Sequence, residues 1–335
     1  MGLVINQIEY YLPEKIVTNK DLALENPDWE VEKIEQKSGV KRRHIAGENE
    51  TALNLAIKAV EKILSTGSIL KEEINGIVFC TQSSDYIMPS NSFLIHKYFN
   101  FSEDVWAFDY DLACSGYIYG LAIARGFIST NLAKNVLLIT SDTYSRYINP
   151  KDRATSVLFG DGAAASILCE DDGRGVLDII LSSKGENFDV FYIPAGGCKT
   201  PKSDRTKQVS VDHSGNIRNL ENIHMNGFAV WQFISKKVSE QINKLLKRNH
   251  LTIDDIDLFI FHQASKLTID SLVKTLGIDK AKVFMNIECV GNTVSSSIPI
   301  ALKDAEINSK LKNGDLVLLS GFGVGLSWGS SIMRY

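Results

Sequence analysis

Three residues far apart in the chain have the types that acyl transfer uses: Cys114, His262 and Asn292. A thiolate can take an acyl group, and neutral donors such as an imidazole or a carboxamide can hold a developing oxyanion. Cys114 follows a short extended run, residues 105–112, and precedes an Ala- and Gly-rich apolar segment, residues 115–128, whose composition predicts a buried helix. A sulfur delivered to a helix N-terminus meets unpaired N–H groups and the positive end of the macrodipole. These favour an anion by about 0.3 to 1 kcal/mol, so the expectation is a thiol pulled toward thiolate. His262 ends an apolar run predicted as a strand, and Asn292 opens a second small-residue segment, 292–302, read as an equivalent helix start. The remaining histidines, at 44, 96, 213, 224 and 250, have no such setting and read as surface or structural.

A glycine-rich stretch, Gly321-Phe-Gly323-Val-Gly325, follows the apolar run 316–320 and invites a dinucleotide-binding reading. The residues from there to Tyr335 leave no room for the helix, strand and acidic residue that fingerprint requires. A glycine loop at a strand end can instead bring backbone N–H groups close to a substrate, which suits an oxyanion hole.

The elements that must position these groups alternate between strand and helix, which indicates an α/β protein. Helical spacing covers residues 26–39, 51–64, 90–99, 226–248 and 267–276. Strands are predicted near the N-terminus and over 74–84, 135–142, 162–168, 256–265, 316–320 and 330–335. Between 171 and 223 the pattern breaks into Gly, Ser, Lys and Asp with short apolar pieces, so a long excursion is expected there. The order of segments repeats, 74–84 resembling 256–265, the Cys114 segment resembling the Asn292 segment, and 136–142 resembling 316–322. Two related halves are therefore expected, residues 1–170 with the cysteine and 171–335 with the histidine and asparagine.

Composition narrows the class. Lysine and arginine total 36 against 40 aspartate and glutamate, for a formal charge of -4, which supports neither nucleic acid nor an anionic membrane as partner. Five scattered cysteines with no CxxC pair argue against a disulfide framework and a zinc site, and fit a reducing cytoplasm. The N-terminal segment lacks the basic start and long apolar core of a signal peptide, and no apolar run approaches the roughly 20 residues that span a bilayer.

With Cys114, His262 and Asn292 in that order, the chain resembles the β-ketoacyl-acyl-carrier-protein synthase III branch of the thiolase-like condensing enzymes. Further segments carry the likeness: Tyr11-Leu-Pro13, Ser38-Gly-Val-Lys-Arg-Arg-His-Ile-Ala46, Asp152-Arg153, Phe159-Gly-Asp-Gly162, Met225-Asn-Gly227, His262-Gln-Ala264, Gly291-Asn-Thr293 and Ser327-Trp-Gly329. The resemblance implies a five-layered αβαβα thiolase-like fold from two pseudo-twofold-related halves, and a homodimer. It implies transfer of an acyl group from acyl-coenzyme A to Cys114, then decarboxylative Claisen condensation with malonyl-acyl-carrier protein. No cofactor and no metal enter.

By the same matching, His262 and Asn292 hold the malonyl thioester carbonyl, and the N–H groups of Cys114 and Val324 form the oxyanion hole. Trp29 and Arg153 bracket the adenine of coenzyme A, Lys33 lies where arginine is common, and Gly227 and Trp231 fall along the pantetheine tunnel. Met88 caps the acyl pocket of the partner subunit. Leu267 stands where an arginine for carrier-protein docking is usual, with Lys266 beside it. The alternatives keep the fold: transfer of the acyl group to an alcohol or amine in a specialised pathway, or a non-catalytic partner subunit. Retention of all three chemical residues speaks against the second. Thiolase proper is disfavoured because the C-terminal glycine loop has no second cysteine.

Overall fold

The computed structural model describes residues 2–171 and 174–335. Nine strands form one hydrogen-bonded array: β1 (Gly2–Tyr11), β2 (Gly76–Cys80), β3 (Trp106–Tyr110), β4 (Asn135–Asp142), β5 (Gly162–Asp171), β6 (Gly175–Ser183), β7 (Leu258–Phe261), β8 (Leu316–Gly323) and β9 (Ser327–Arg334). Their order is β7-β8-β9-β6-β1-β5-β4-β2-β3. Five strands from the front of the chain meet four from the back through a single pair, Leu3 with Val176, among the described residues.

The two strand sets have matching topology. β2 runs parallel to β4, which is antiparallel to β5; β7 runs parallel to β8, which is antiparallel to β9. Even β3, parallel to β2, has a trace of a counterpart in the parallel bridge from Phe259 to Val283. The helices that matter for the layers and the site are α1 (Val31–Ser38), α2 (Ala52–Ser65), α3 (Gly116–Ser129), α4 (Arg153–Ser156), α5 (Gly227–Phe233), α6 (Ser239–Arg248), α7 (Lys266–Leu276) and α8 (Ser297–Ile307). Helix α2 covers the outer face of the front strands, α6 and α7 cover the back strands, and α3 and α8 lie between the two sets. The result is the αβαβα layering of the thiolase-like fold.

This layering explains why β4 and β8 read as nearly continuous apolar runs: both faces of each strand are covered. The sandwiched α3 needs small residues to fit. A Cβ at Gly120 would lie 2.6 Å from Leu138, and one on Gly329 of β9 would lie 2.8 Å from Ile118. Ile118, Leu121 and Ala124 of α3 join Val78, Leu138, Val317 and Leu319 in the central core. Each fully buried large aliphatic side chain contributes about 1.5–3 kcal/mol.

Several expectations are corrected. The excursion expected over 171–223 contains β6, a nine-residue strand at the centre of the array. Asp178 and its neighbours interrupt the apolar run because only part of the strand is buried, which hid it. Gly321 and Gly323 belong to β8 rather than to a loop, paired with Gly329 and Ser327 of β9. Asn292 does not open a helix; α8 starts at Ser297, after a 3-10 turn over Val294–Ser296. The helix expected over 26–39 is confined to α1, which ends at Gly39 with φ 76°, where a left-handed residue stops it. No helix among the described residues is long and apolar enough to cross a membrane.

Candidate active site

Cys114 sits between β3 and α3 and is held on every side. The Gly116 N–H donates to the Ala113 carbonyl at 2.8 Å, and the Cys80 thiol donates to the Leu112 carbonyl at 2.9 Å. Ser115, the residue before α3, shares a 2.7 Å hydrogen bond with Ser327 of β9. The end of β8 presses against the same turn. A Cβ at Gly321 would lie 2.7 Å from the Cys114 carbonyl oxygen, and one at Gly323 would lie 2.9 Å from Cys114 Sγ. The glycines are there because nothing larger fits between strand and sulfur.

His262 follows β7, and its N–H continues the parallel ladder to the Ser320 carbonyl at 2.8 Å. Its Nδ1 lies 2.6 Å from Ser297 Oγ at the start of α8, and its ring meets Phe322 edge-on with centroids 5.6 Å apart. Asn292 is pinned by the front half of the chain: its N–H donates to the Leu158 carbonyl, and its carbonyl accepts from the Gly160 N–H. The Asn292 carboxamide oxygen accepts from the Val294 N–H at 2.9 Å, and its NH2 group has no hydrogen-bond partner among the described residues.

All three side chains line one cavity of about 550 Å3, together with Phe159, Phe191, Phe322 and Gly323. Cys114 is 3%, His262 1% and Asn292 4% exposed, so they form its closed end. The open end is marked by exposed side chains, Lys33 and Lys37 of α1, Arg153 of α4 and Leu267 of α7, with Gly227 and Trp231 of α5 along the same wall. Lys33 is paired with Glu30 at 2.7 Å.

Trp29 is not among the lining residues. It packs half-buried beside Ile34 and Val157, which are. Val324 also stands just outside the cavity, in the apolar cluster that contains Cys114. Met88 does not line the cavity of its own chain and is 79% exposed.

Burial decides the protonation states. It lowers the His262 imidazole to about 3, so the ring is neutral across the ordinary pH range. Burial also pushes the Cys114 thiol up, with the Asp142 carboxylate adding to the effect. This runs against the expectation of a thiol drawn toward thiolate: enclosure removes the water that would stabilise the anion. Asp142 itself is held up to about 7 by burial, although the N–H groups of Gln82 and Ser295 and the Ser295 hydroxyl donate to it. It ties the end of β4 to the turn after Asn292.

Sequence reasoning missed Asp142, Ser297 and the aromatic wall of Phe159 and Phe191. A buried acid at a strand end and a serine in a small-residue segment carry no local mark of their partners. No group of three or more His, Cys, Asp or Glu among the described residues could hold a metal ion.

Chemically, the closed end offers one sulfur, one neutral imidazole and one carboxamide NH2 at the bottom of a mostly apolar channel. Such a set takes and passes an acyl group without a cationic acid.

Known proteins resemble the chain over nearly its whole length. Residues 108–185 match the family described as 3-oxoacyl-[acyl-carrier-protein] synthase III, and residues 246–335 match its C-terminal part. A β-ketoacyl-[acyl-carrier-protein] synthase III from Solibacter usitatus is 36% identical, over 99% of this chain and 98% of its own. One from Caldanaerobacter subterraneus is 37% identical, over 97% and 95% respectively. A solved 3-oxoacyl-(acyl-carrier-protein) synthase III superposes with a TM-score of 0.98 at 35% identity, covering all of both chains.

Proposed function

Because the chain belongs to the β-ketoacyl-[acyl-carrier-protein] synthase III family, we propose that it condenses an acyl-coenzyme A starter with malonyl-acyl-carrier protein to give a 3-oxoacyl-acyl-carrier protein. The observation that carries this is the meeting of Cys114, His262 and Asn292, from three separate elements, at the closed end of one channel.

In the first stage Cys114 Sγ attacks the thioester carbonyl. The oxyanion is held by the N–H groups of Cys114 and Val324, and coenzyme A leaves as its thiolate and takes up the proton given up by the Cys114 thiol. The starting thiol form is consistent with the upward push on this group. In the second stage the malonyl carboxylate leaves as carbon dioxide. The electron pair of the broken C–C bond passes into an enolate held by Asn292 Nδ2 and His262 Nε2. The enolate carbon attacks the acyl-enzyme carbonyl, the C–S bond breaks, and the released Cys114 thiolate takes up a proton from solvent. A neutral His262 donates from Nε2 when the Ser297 hydroxyl donates to Nδ1. Each such donor is typically worth a factor of about 100 to 1000 in rate. The sequence balances without a redox group or a metal, so no cofactor is assigned.

Arg153 and Trp29 take the nucleotide end of coenzyme A, and Gly227 and Trp231 flank the pantetheine arm. Lys33 offers a point charge that Glu30 partly engages. The protein works as a homodimer in the cytoplasm, with Met88 of one subunit capping the acyl pocket of the other. The exposed run Tyr86, Ile87 and Met88 supports this arrangement. Leu267 and Lys266 lie at the docking face for the carrier protein. The chain divides into halves at 170/171, each supplying part of the site.

Intact-protein mass after exposure to acyl-coenzyme A tests the scheme. The unaltered enzyme gains the mass of the acyl group, and Cys114→Ala gains none and makes no 3-oxoacyl product. An adduct of equal yield on Cys114→Ala would overturn it.

A further inference from the structure

Within the excursion between β6 and α5, two short strands pair as a hairpin, Ser210 with Arg218 and Val211 with Ile217. The hairpin lies outside the layers, and its one buried charge points back into the body of the protein. The Arg218 side chain is 9% exposed and makes ion pairs with Asp212 of its own hairpin and with Asp152, the latter at 3.8 Å. The Ile217 N–H donates to the Lys151 carbonyl, and the Ile223 N–H to the Tyr147 carbonyl, so the backbone is fastened along the same edge.

Asp152 is fully buried and precedes α4. Its carboxylate accepts from the Ala154 N–H at 3.0 Å and from Thr155 Oγ1 at 3.0 Å. Burial pushes this carboxyl up, and Arg218 opposes that push. The next residue, Arg153, is exposed at the open end of the cavity and has no hydrogen-bond or ion-pair partner among the described residues. Adjacent acidic and basic residues could neutralise each other. Here the acid is turned inward and satisfied by α4 and by Arg218, which leaves the Arg153 guanidinium available at the channel mouth.

We propose that Arg218 is a positioning residue for coenzyme A: by holding Asp152 inward, it fixes α4 so that Arg153 meets the nucleotide end of the substrate. This rests on the assignment of Arg153 to that end. Loss of Arg218 leaves Asp152 buried without its cation, and the carboxyl either protonates or turns toward Arg153. Both outcomes weaken recognition of the nucleotide and leave the chemistry at Cys114 untouched.

The test compares enzyme acylation by an acyl-coenzyme A with acylation by the same acyl group on pantetheine, which lacks the nucleotide. Arg218→Gln is expected to raise KM for the coenzyme A thioester about tenfold, equivalent to about 1.4 kcal/mol. Its kcat and its KM for the pantetheine thioester stay within about twofold of the unaltered enzyme. A merely structural role would move both thioesters alike, and that result overturns the proposal. Should Arg218→Gln not fold, Arg218→Lys carries the same test, with a smaller rise for the coenzyme A thioester alone. Arg153→Ala separates the two ideas. If it raises KM for the coenzyme A thioester while Arg218→Gln does not, the positioning role is wrong and the Arg153 assignment stands. If neither variant does so, both fall.

Discussion

At the closed end of the channel, burial governs each functional group in turn. His262 ionises near 6.5 in an unfolded chain but only at about 3 in the folded one, because its ring is enclosed without an acid beside it. Between those values the unfolded state binds the proton that the folded state refuses. The contribution of His262 to stability is therefore complete above pH 6.5 and is lost progressively as pH falls toward 3. Asp142, held up to about 7, has the opposite slope: the folded state keeps its proton, and the associated stability fades as pH rises from about 4 to 7. Urea unfolding of the protein and of His262→Gln at several pH values between 4 and 7 separates the two. The unaltered protein is expected to lose on the order of 1 kcal/mol more per pH unit on acidification than the variant does. Parallel slopes would mean that the imidazole is not held neutral by the fold. Cys114, His262 and Asn292 were legible from their types, their places at segment ends and the family resemblance, since few side chains serve acyl transfer. The protonation state of Cys114 was not, because a helix N-terminus is visible in sequence and the depth of enclosure is not.

At the scale of elements, the end of β8 does two jobs, completing a strand pair with β9 and lying flat against Cys114. Gly323 has no room for a methyl group, its Cβ position being 2.8 Å from Cys114 Cβ. Gly323→Ala is expected to cost about 1–3 kcal/mol of stability from overpacking. It should also cut the acylation rate at least tenfold, because the sulfur and the Val324 N–H are displaced together. Stopped-flow acylation and thermal unfolding measured on one preparation check both numbers, and an acylation rate within twofold of normal would refute the steric argument. These glycines read in the sequence as a loop because glycine usually marks a turn. Their use here, as the smallest spacer between two packed elements, depends on a partner in the other half of the chain. The strand β6 was hidden for a related reason: a strand covered on only part of its length lacks the continuous apolar run that exposes β4.

Over the whole molecule, the alternation of strands and helices and the doubled order of segments were enough to anticipate an α/β protein of two related halves, because each repeat carries its own apolar periodicity; the five layers were implied by the family resemblance. Surface use was less legible. Ile87 is 101% exposed between Tyr86 and Met88, and Phe93 is 52% exposed in the helix that follows. Such side chains clustered on one surface are the mark of an interface, and in a homodimer they would be covered. If the protein is the homodimer proposed above, Ile87→Glu is expected to convert it to a monomer in light scattering at micromolar concentration. Loss of acylation in the same sample would follow if Met88 of the partner closes the pocket, and an unchanged mass would place the interface elsewhere.

Among the described residues, the front and back strand sets are linked across the array by the single rung from Leu3 to Val176. A seam with one stitch does little to set the tilt between them, so that task falls to α3 and α8, wedged between the sets. A bulkier side chain on either helix would act as a shim, shifting the sulfur relative to the imidazole while touching neither. Catalytic alignment in this enzyme is thus tunable from its driest layer, well away from any substrate.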